Sequence, residues 1–436
     1  MKKSGLEKYG SKTLEMTAMD SESKGTPINS ETARVQTRQR VFSFSHLNVF
    51  DGKHQYSDPG NHEPEHFKQH MTMFRFACRQ TLLTLIEWTR TEKIILWIQA
   101  NLRNKPMDVF FAFTAIMGSH TFYVVMLPIP RWTGFSVVTR DLVYVIGYSI
   151  YLSGHFKDYW CLPRPKSPPV HRITLSDYTT KEYGAPSSHT ANATGVSLLV
   201  IWYISQLSFD NEFWRILLYM TTASYFFILT FGRIYCGMHG ILDISSGMLI
   251  GIFCCAVRVF TKHYLNFDKL TIESGLWYPF VSIITGVALL KFHARPIDSC
   301  PCIEDSVAFV GVIMGIECSD WLNPKLYGNE LYIMPFNYSK LGVTGVALRI
   351  IVGILAVLTW KELSKKVIYW FLAQIIGDDR PFTKEELKKQ QESDEVRLFT
   401  PLADIDVIGR SIVYAGIPAT VILVCPILYK LLDIYD

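Results

Sequence analysis

The sequence predicts an all-α polytopic membrane protein, a multi-span helical bundle, and three observations predict it. Of its 436 residues 49% are hydrophobic and 14% aromatic, more than a soluble enzyme of this size needs, yet 19% are charged. The two kinds are segregated: apolar blocks long enough to cross a bilayer, which takes about 20 residues, alternate with short polar connectors. The formal charge is only +4, and no basic stripe interleaved with aromatics runs along the chain, so nucleic acid is excluded as a partner and the membrane is expected as one.

Residues 1–75 are rich in Ser, Thr, Lys, Glu and His without apolar periodicity and read as a disordered polar tail. No apolar segment follows the basic start, so no cleavable signal peptide is expected. Residues 76–106 are amphipathic, with Leu82, Leu83, Ile86, Ile94, Ile95 and Ile98 set against Arg79, Glu87, Arg90, Glu92 and Lys93. Charges in mid-segment are costly at bilayer depth, so this stretch is expected to lie in the interface.

Residues 107–260 form the expected transmembrane core, with spans at Met107–Leu127, Phe135–Leu152, Thr190–Leu207, Phe213–Phe231 and Ile241–Phe260. Residues 261–436 add apolar blocks at Leu276–Leu290, Ser306–Ile316, Gly342–Trp360 and Ile408–Leu428, the one at Ser306 being short for a span. A charged connector, 361–406, holds an interfacial-looking Val367–Ile376, and its run Lys384–Arg397 reads as a solvated face. Of the nine cysteines only Cys300 and Cys302 have metal-like spacing; one such pair is a weak metal signal, and a loop disulfide is left open.

Three polar motifs interrupt the core: Lys157–Pro165 after the second span, Pro186–His189 opening the third, and Arg233–Asp243 two crossings later. Two crossings return a chain to the same side, so all three can meet at one interface. Their residue types suit one task, holding a phosphate and transferring it without a metal. Lys157, Arg164 and Arg233 supply three cations, and arginine forks bind phosphate bidentately. Ser187 and Ser188 follow Pro186 at an expected helix start, where free N–H groups and the helix dipole favour an anion. His239 and Asp243 are spaced i, i+4, so a helix would put carboxylate and imidazole on one face. With His189 they supply a nucleophile, its orienting group and a proton donor.

The order Lys157-x6-Arg164-Pro165, Pro186-Ser187-Ser188-His189, Arg233-x5-His239-x3-Asp243 resembles the type 2 phosphatidic acid phosphatase superfamily, which includes glucose-6-phosphatase and vanadium haloperoxidases. The wording KDYWCLPRPKSPPV, YGAPSSHTANATG and GRIYCGMHGILD is most similar to sphingosine-1-phosphate phosphatases, particularly the fungal long-chain-base-1-phosphate phosphatases. The resemblance implies that His239 attacks phosphorus to form a phosphohistidine, Asp243 holds its tautomer, and His189 protonates the leaving alcohol and later activates water. Lys157, Arg164, Arg233, Ser187 and the Ser188 backbone would stabilise the equatorial oxygens. No cofactor and no metal are implied. The implied substrate is a sphingoid 1-phosphate, the implied place the endoplasmic reticulum membrane with a lumenal site, and a homodimer is left open. The rival readings are a phosphatase for another lipid or sugar phosphate, and a non-catalytic lipid-binding or transport protein. Ser188 stands where the superfamily usually has Gly, and Gly232 where it usually has Ser.

Other features have bland readings. A juxtamembrane Lys or Arg commonly just flanks a span, and a histidine at a helix end is commonly structural; it is the three motifs together that argue otherwise. Arg140 and Asp141 read as a structural ion pair or snorkelling ends. His62-Glu63-Pro64-Glu65-His66 fits H-E-x-x-H, but that zinc pattern needs a helix, Pro64 argues against one, and the match reads as coincidence; His70 adds little. Asn192 and Asn337 open glycosylation sequons, the first expected to be unused beside the site, the second on a side that the short Ser306 block leaves undecided.

Overall fold

Every expected span except the first becomes a single continuous helix or a helix with one local irregularity. The structure is a computed structural model, and it describes residues 48–50, 58–175, 177–328, 333–381 and 396–435. All of these belong to one unit, Leu47–Asp436. Most of the expected tail, 1–47 and 51–57, and most of the run Lys384–Arg397 lie outside the described residues.

The tail reading ends too late. Pro64–His70 form helix α1, followed by α2 (Met73–Trp88) and α3 (Thr91–Leu102). Pro64 sits in the first turn of α1, where its missing N–H has no intrahelical partner to lose; it starts the helix that it was expected to forbid. Phe67 is fully buried. Between α2 and α3 Arg90 is left-handed, φ 51°, and both helices leave large apolar side chains exposed, among them Met73, Phe74, Trp88 and Trp97, as an interfacial segment should.

The first expected span is broken. Helix α4 (Lys105–Thr114), a 3-10 turn (Ala115–Gly118), α5 (His120–Met126) and α6 (Pro128–Trp132) replace it, and its two halves meet at a 62° bend. The helices α7 (Ser136–Trp160), α8 (Ser188–Gln206), α9 (Glu212–Tyr235), α10 (Ile241–Tyr264) and α11 (Phe267–Glu273) follow. Beyond them lie α12 (Trp277–Lys291), α13 (Cys302–Tyr327), α14 (Tyr338–Ile375) and α15 (Asp404–Ala419), which runs through a π turn into α16 (Cys425–Leu431). The short Ser306 block is thus the middle of a 26-residue helix. Val367–Ile376 is the end of α14, not a separate interfacial piece. Among the described residues the one sheet pairs β1 (Asn48–Phe50) with β2 (Arg172–Thr174).

By length and composition α9, α10, α14 and Asp404–Leu431 can cross a membrane, and the bent pair makes a fifth if counted as one span. Helices α7, α8 and α13 are less apolar because they carry buried polar groups: Asp141, Ser149 and Ser153 on α7, Asn192 and Ser197 on α8, Glu317 and Asp320 on α13. Such groups are tolerated at bilayer depth when they face other helices. The chain is therefore a multi-pass membrane protein.

Glycines set the closest helix contacts. A β-carbon at Gly247 or Gly251 of α10 would lie 2.5 Å from the Ser187 carbonyl oxygen or 2.4 Å from that of Ala191. This small-xxx-small face brings the first turn of α8 onto the first turns of α10. Gly311 and Gly315 of α13 do the same against Ser411 and Ala415 of α15.

Arg140 and Asp141 do not form the pair expected of them. Arg140 faces Asp268 (3.5 Å) and Asp320 (3.4 Å), while Asp141 takes Arg258 and Lys262 (2.5 Å), and Arg258 also reaches Asp268 (2.6 Å). The result is a buried ionic network joining α7, α10, α11 and α13. It lies at the start of α7, about 25 Å along that helix from Lys157 at 1.5 Å per residue.

Candidate active site

Four helix ends converge at the opposite end of α7. Lys157 lies in its last turn, and Arg164 follows in the connector. Ser187 caps α8, Arg233 closes α9, and Asp243 stands in the first turn of α10. The backbone fixes the meeting point: the Ser187 N–H donates to the Asp243 carbonyl (2.9 Å). All eight expected site residues are buried or half-buried there.

His239 sits in the short loop between α9 and α10, its Nδ1 3.4 Å from Asp243 Oδ2 and its Nε2 3.3 Å from Arg164 Nη1. The same Asp243 oxygen accepts the Gly240 N–H at 2.8 Å, capping α10. Carboxylate on one nitrogen and guanidinium beside the other leave the Nε2 lone pair directed at the cationic side. Burial, and then Arg164, Lys157 and Arg233, hold the His239 imidazole well below its ordinary pKa, so it is neutral at physiological pH.

Arg164 is fixed by three carbonyls, of Glu182 (2.9 Å), Met238 (2.6 Å) and Thr179 (2.8 Å). Burial pushes its pKa down to about 10, which leaves it cationic at neutral pH. Arg233 is 5% exposed, and its Nε has no hydrogen-bond partner among the described residues; a buried guanidinium nitrogen without an acceptor suits an anionic ligand. Lys157 contacts the Glu182 carboxylate, whose Oε2 is also 3.6 Å from Arg164. Glu182 belongs to no motif, and nothing in its sequence context marked it.

His189 Nε2 lies 3.2 Å from the Ala115 carbonyl oxygen, in the turn at the break of the first span. A carbonyl only accepts, so Nε2 carries the hydrogen and Nδ1 is the basic nitrogen of the neutral ring. The bend brings Gly118 so close that a β-carbon there would be 2.2 Å from the imidazole. Ser187 is used differently from the expectation: its N–H is taken by Asp243, and its hydroxyl oxygen caps α8, accepting from the Thr190 N–H (3.4 Å) and hydroxyl (3.1 Å). Its own hydroxyl proton remains to donate. Gly232 packs on α4, where a β-carbon would be 2.8 Å from Phe111 Cδ1; the serine usual at this position would have to displace the Phe111 ring.

The family model described as the PAP2 superfamily matches residues 139–267, which span all eight of the expected site residues. The chain is 47% identical over 383 residues to a dihydrosphingosine 1-phosphate phosphatase of Saccharomyces cerevisiae, covering 87% of this chain and 92% of that one. The chain belongs to the PAP2 superfamily. Other PAP2 relatives are a dihydrosphingosine 1-phosphate phosphatase of Schizosaccharomyces pombe (31% over 379 residues, 79% of this chain and 88% of that one) and sphingosine-1-phosphate phosphatase 1 of Rattus norvegicus (26% over 327 residues, 72% of each). No solved structure matches this PAP2 chain.

Outside the PAP2 site, two groups of metal-ligating types lie close together among the described residues: His62, His66 and Asp298, and Asp158, Cys300 and Cys302. In the second the two sulfurs are joined as a disulfide, the loop bond the sequence left open. In the first, His62 and His66 stack at 4.3 Å and His66 bonds Asp298 at 2.8 Å. The H-E-x-x-H match therefore marks a real contact, but one that ties α1 to the segment before α13.

Proposed function

We propose that this chain hydrolyses sphingoid long-chain-base 1-phosphates to the free base and inorganic phosphate, through a phosphohistidine on His239. The observation that carries this is the placement of His239 between Asp243 on Nδ1 and Arg164 beside Nε2. Lys157, Arg164 and Arg233 hold the phosphate oxygens with the Ser187 hydroxyl and the Ser188 N–H, and their charge meets the charge that develops in transfer. Nε2 attacks phosphorus, the ester P–O bond breaks, and the leaving alkoxide takes a proton that His189 carries on Nδ1 in the substrate complex, where the bound phosphate dianion offsets the neighbouring cations. His189 then takes a proton from water, which attacks the phosphohistidine and frees phosphate and the imidazole. Every step is supplied by the chain's own groups.

The names of the relatives support the sphingoid substrate. In the same reading the protein lies in the endoplasmic reticulum membrane with its site in the lumen. The Cys300–Cys302 disulfide stands at the active end, and disulfides persist in oxidising compartments. The outer faces of the later helices remain for a homodimer contact, which crosslinking in membranes tests.

The test of function is phosphate release by purified protein in detergent with chelator, from dihydrosphingosine 1-phosphate, phosphatidate and glucose 6-phosphate, with His239→Ala as control. Release from the sphingoid substrate alone, lost in the variant, is expected. Release from another substrate would move the substrate and keep the mechanism; release from none would favour a non-catalytic lipid-binding or transport role.

A further inference from the structure

Beside the phosphate-binding cluster, and sharing Lys157 and Ser188 with it, lies a small cavity whose other polar walls the steps above do not use. Its walls come from α7 (Ser153, Lys157), the connector (Glu182), α8 (Ser188, Asn192) and α13 (Asp305). Gly118, the residue packed on His189, also lines it, so it borders the side of the cluster where His189, the proposed acid for the leaving alcohol, lies. Its volume is about 20 Å³, room for a group the size of a water molecule.

The polar groups in this cavity are acceptors as well as donors. Asn192 is 1% exposed, and its Oδ1 has no hydrogen-bond partner among the described residues. A buried acceptor left open inside a transmembrane helix is costly unless a ligand fills it. Asp305 adds a carboxylate from the first turn of α13. An acidic residue in a first turn commonly serves the helix dipole alone, but this one also lines the cavity, as Lys157 does. An alkyl phosphate or phosphatidate has nothing to offer such a pair. A sphingoid 1-phosphate has: its C2 ammonium is two bonds from the ester oxygen's carbon partner, donates three hydrogen bonds and is water-sized.

We propose that Asp305 and Asn192 form an ammonium subsite that selects long-chain-base phosphates over lipid phosphates without an amine. The assignment rests on the phosphatase reading. Asp305 pairs with the ammonium, Asn192 Oδ1 accepts one of its N–H bonds, and the interaction fixes C1 and its oxygen beside His189. An N-acylated base loses the charge and exceeds the space.

The experiment compares kcat/KM for dihydrosphingosine 1-phosphate and octadecyl phosphate, the same chain length without the amine, in wild type, Asp305→Asn and Asn192→Leu. Wild type is expected to prefer the amine by about tenfold or more, one charge-assisted contact being worth that much. Asp305→Asn should erase most of this preference by losing activity on the amine substrate alone, and Asn192→Leu should reduce it. Octadecyl phosphate turnover reports that each variant is folded. Equal turnover of both lipids by wild type, or an equal loss on both in Asp305→Asn, would overturn the subsite while leaving the phosphatase reading intact. No release from either lipid by wild type would overturn both.

Discussion

At the scale of single residues, His239 carries a pH prediction. In the proposed mechanism it attacks as the neutral ring, and burial with Arg164, Lys157 and Arg233 lowers its pKa, so the neutral form persists to lower pH than for a free imidazole. The acid limb of kcat/KM, which reports the free enzyme, should therefore lie below the ordinary value of about 6.5. Arg164→Gln removes the nearest cation and should move that limb upward as well as lowering activity. The substrate's own ionisation is common to both proteins, so the displacement between their profiles belongs to the enzyme; coincident limbs would remove His239 as the titrating group. Gly232 carries a second prediction. Restoring the serine usual in the superfamily should destabilise this chain by about 1–3 kcal/mol, the cost of overpacking, because its β-carbon meets Phe111. Unfolding midpoints in detergent would show the loss, and Phe111→Leu in the same chain should recover part of it. That the eight expected residues would converge was legible from residue type and order, because phosphate chemistry restricts both. The places of Glu182 and Asp305 beside them were not: a single carboxylate has no pattern, and only the folded bundle shows what it faces.

At the scale of elements, helices were legible and their interruptions were not. The apolar blocks gave eight of the nine expected spans a helical body, but hydropathy is blind to a bend, and Met107–Leu127 reads as a span whether or not it breaks at Gly118. That break is what lends the Ala115 carbonyl to His189. The same blindness shortened α13, whose buried Glu317 and Asp320 dilute its hydropathy although neither faces lipid. The segment before α1 was misread because its stabilisation is long-range and ionic. Asp58 makes a two-armed pair with Arg172 at 2.5 and 2.6 Å, and Arg172 also donates to the Pro165 carbonyl (2.7 Å) next to Arg164. Removing one partner of a buried pair typically costs about 3–5 kcal/mol. Asp58→Ala should therefore lower the unfolding midpoint and raise KM for the phosphate ester by loosening the Arg164 connector. Adding Arg172→Leu should restore much of the stability, since the uncompensated charge is then gone; a midpoint unchanged in Asp58→Ala would show the pair to be idle.

At the scale of the whole molecule, the bundle has two polar ends with different tasks. One end gathers the cations of the PAP2 site, and the other the network around Arg140, Asp141, Arg258, Asp268 and Asp320. With α13 a full-length helix, the parity that the sequence left undecided is set. Asn337, which caps α14, lies at the network end, close to the start of α7, where the Met334 N–H donates to Ser136 Oγ at 3.1 Å. Asn61 lies at the active end, beside Asp58, and Glu63→Thr would complete a sequon there. Glu63 is exposed and makes no side-chain cap to α1, and threonine is a good N-cap, so the change should leave α1 intact. Glycosylation occurs on the lumenal side alone, and the two sites stand on opposite sides, so the protein cannot carry glycans at both. With a lumenal active site, Glu63→Thr should gain an endoglycosidase-sensitive shift in microsomes while Asn337 stays unmodified in the wild type. A glycan on Asn337 and none in Glu63→Thr would place the site in the cytosol, and the same two helical ends would then present their cations to a different pool of lipid phosphates.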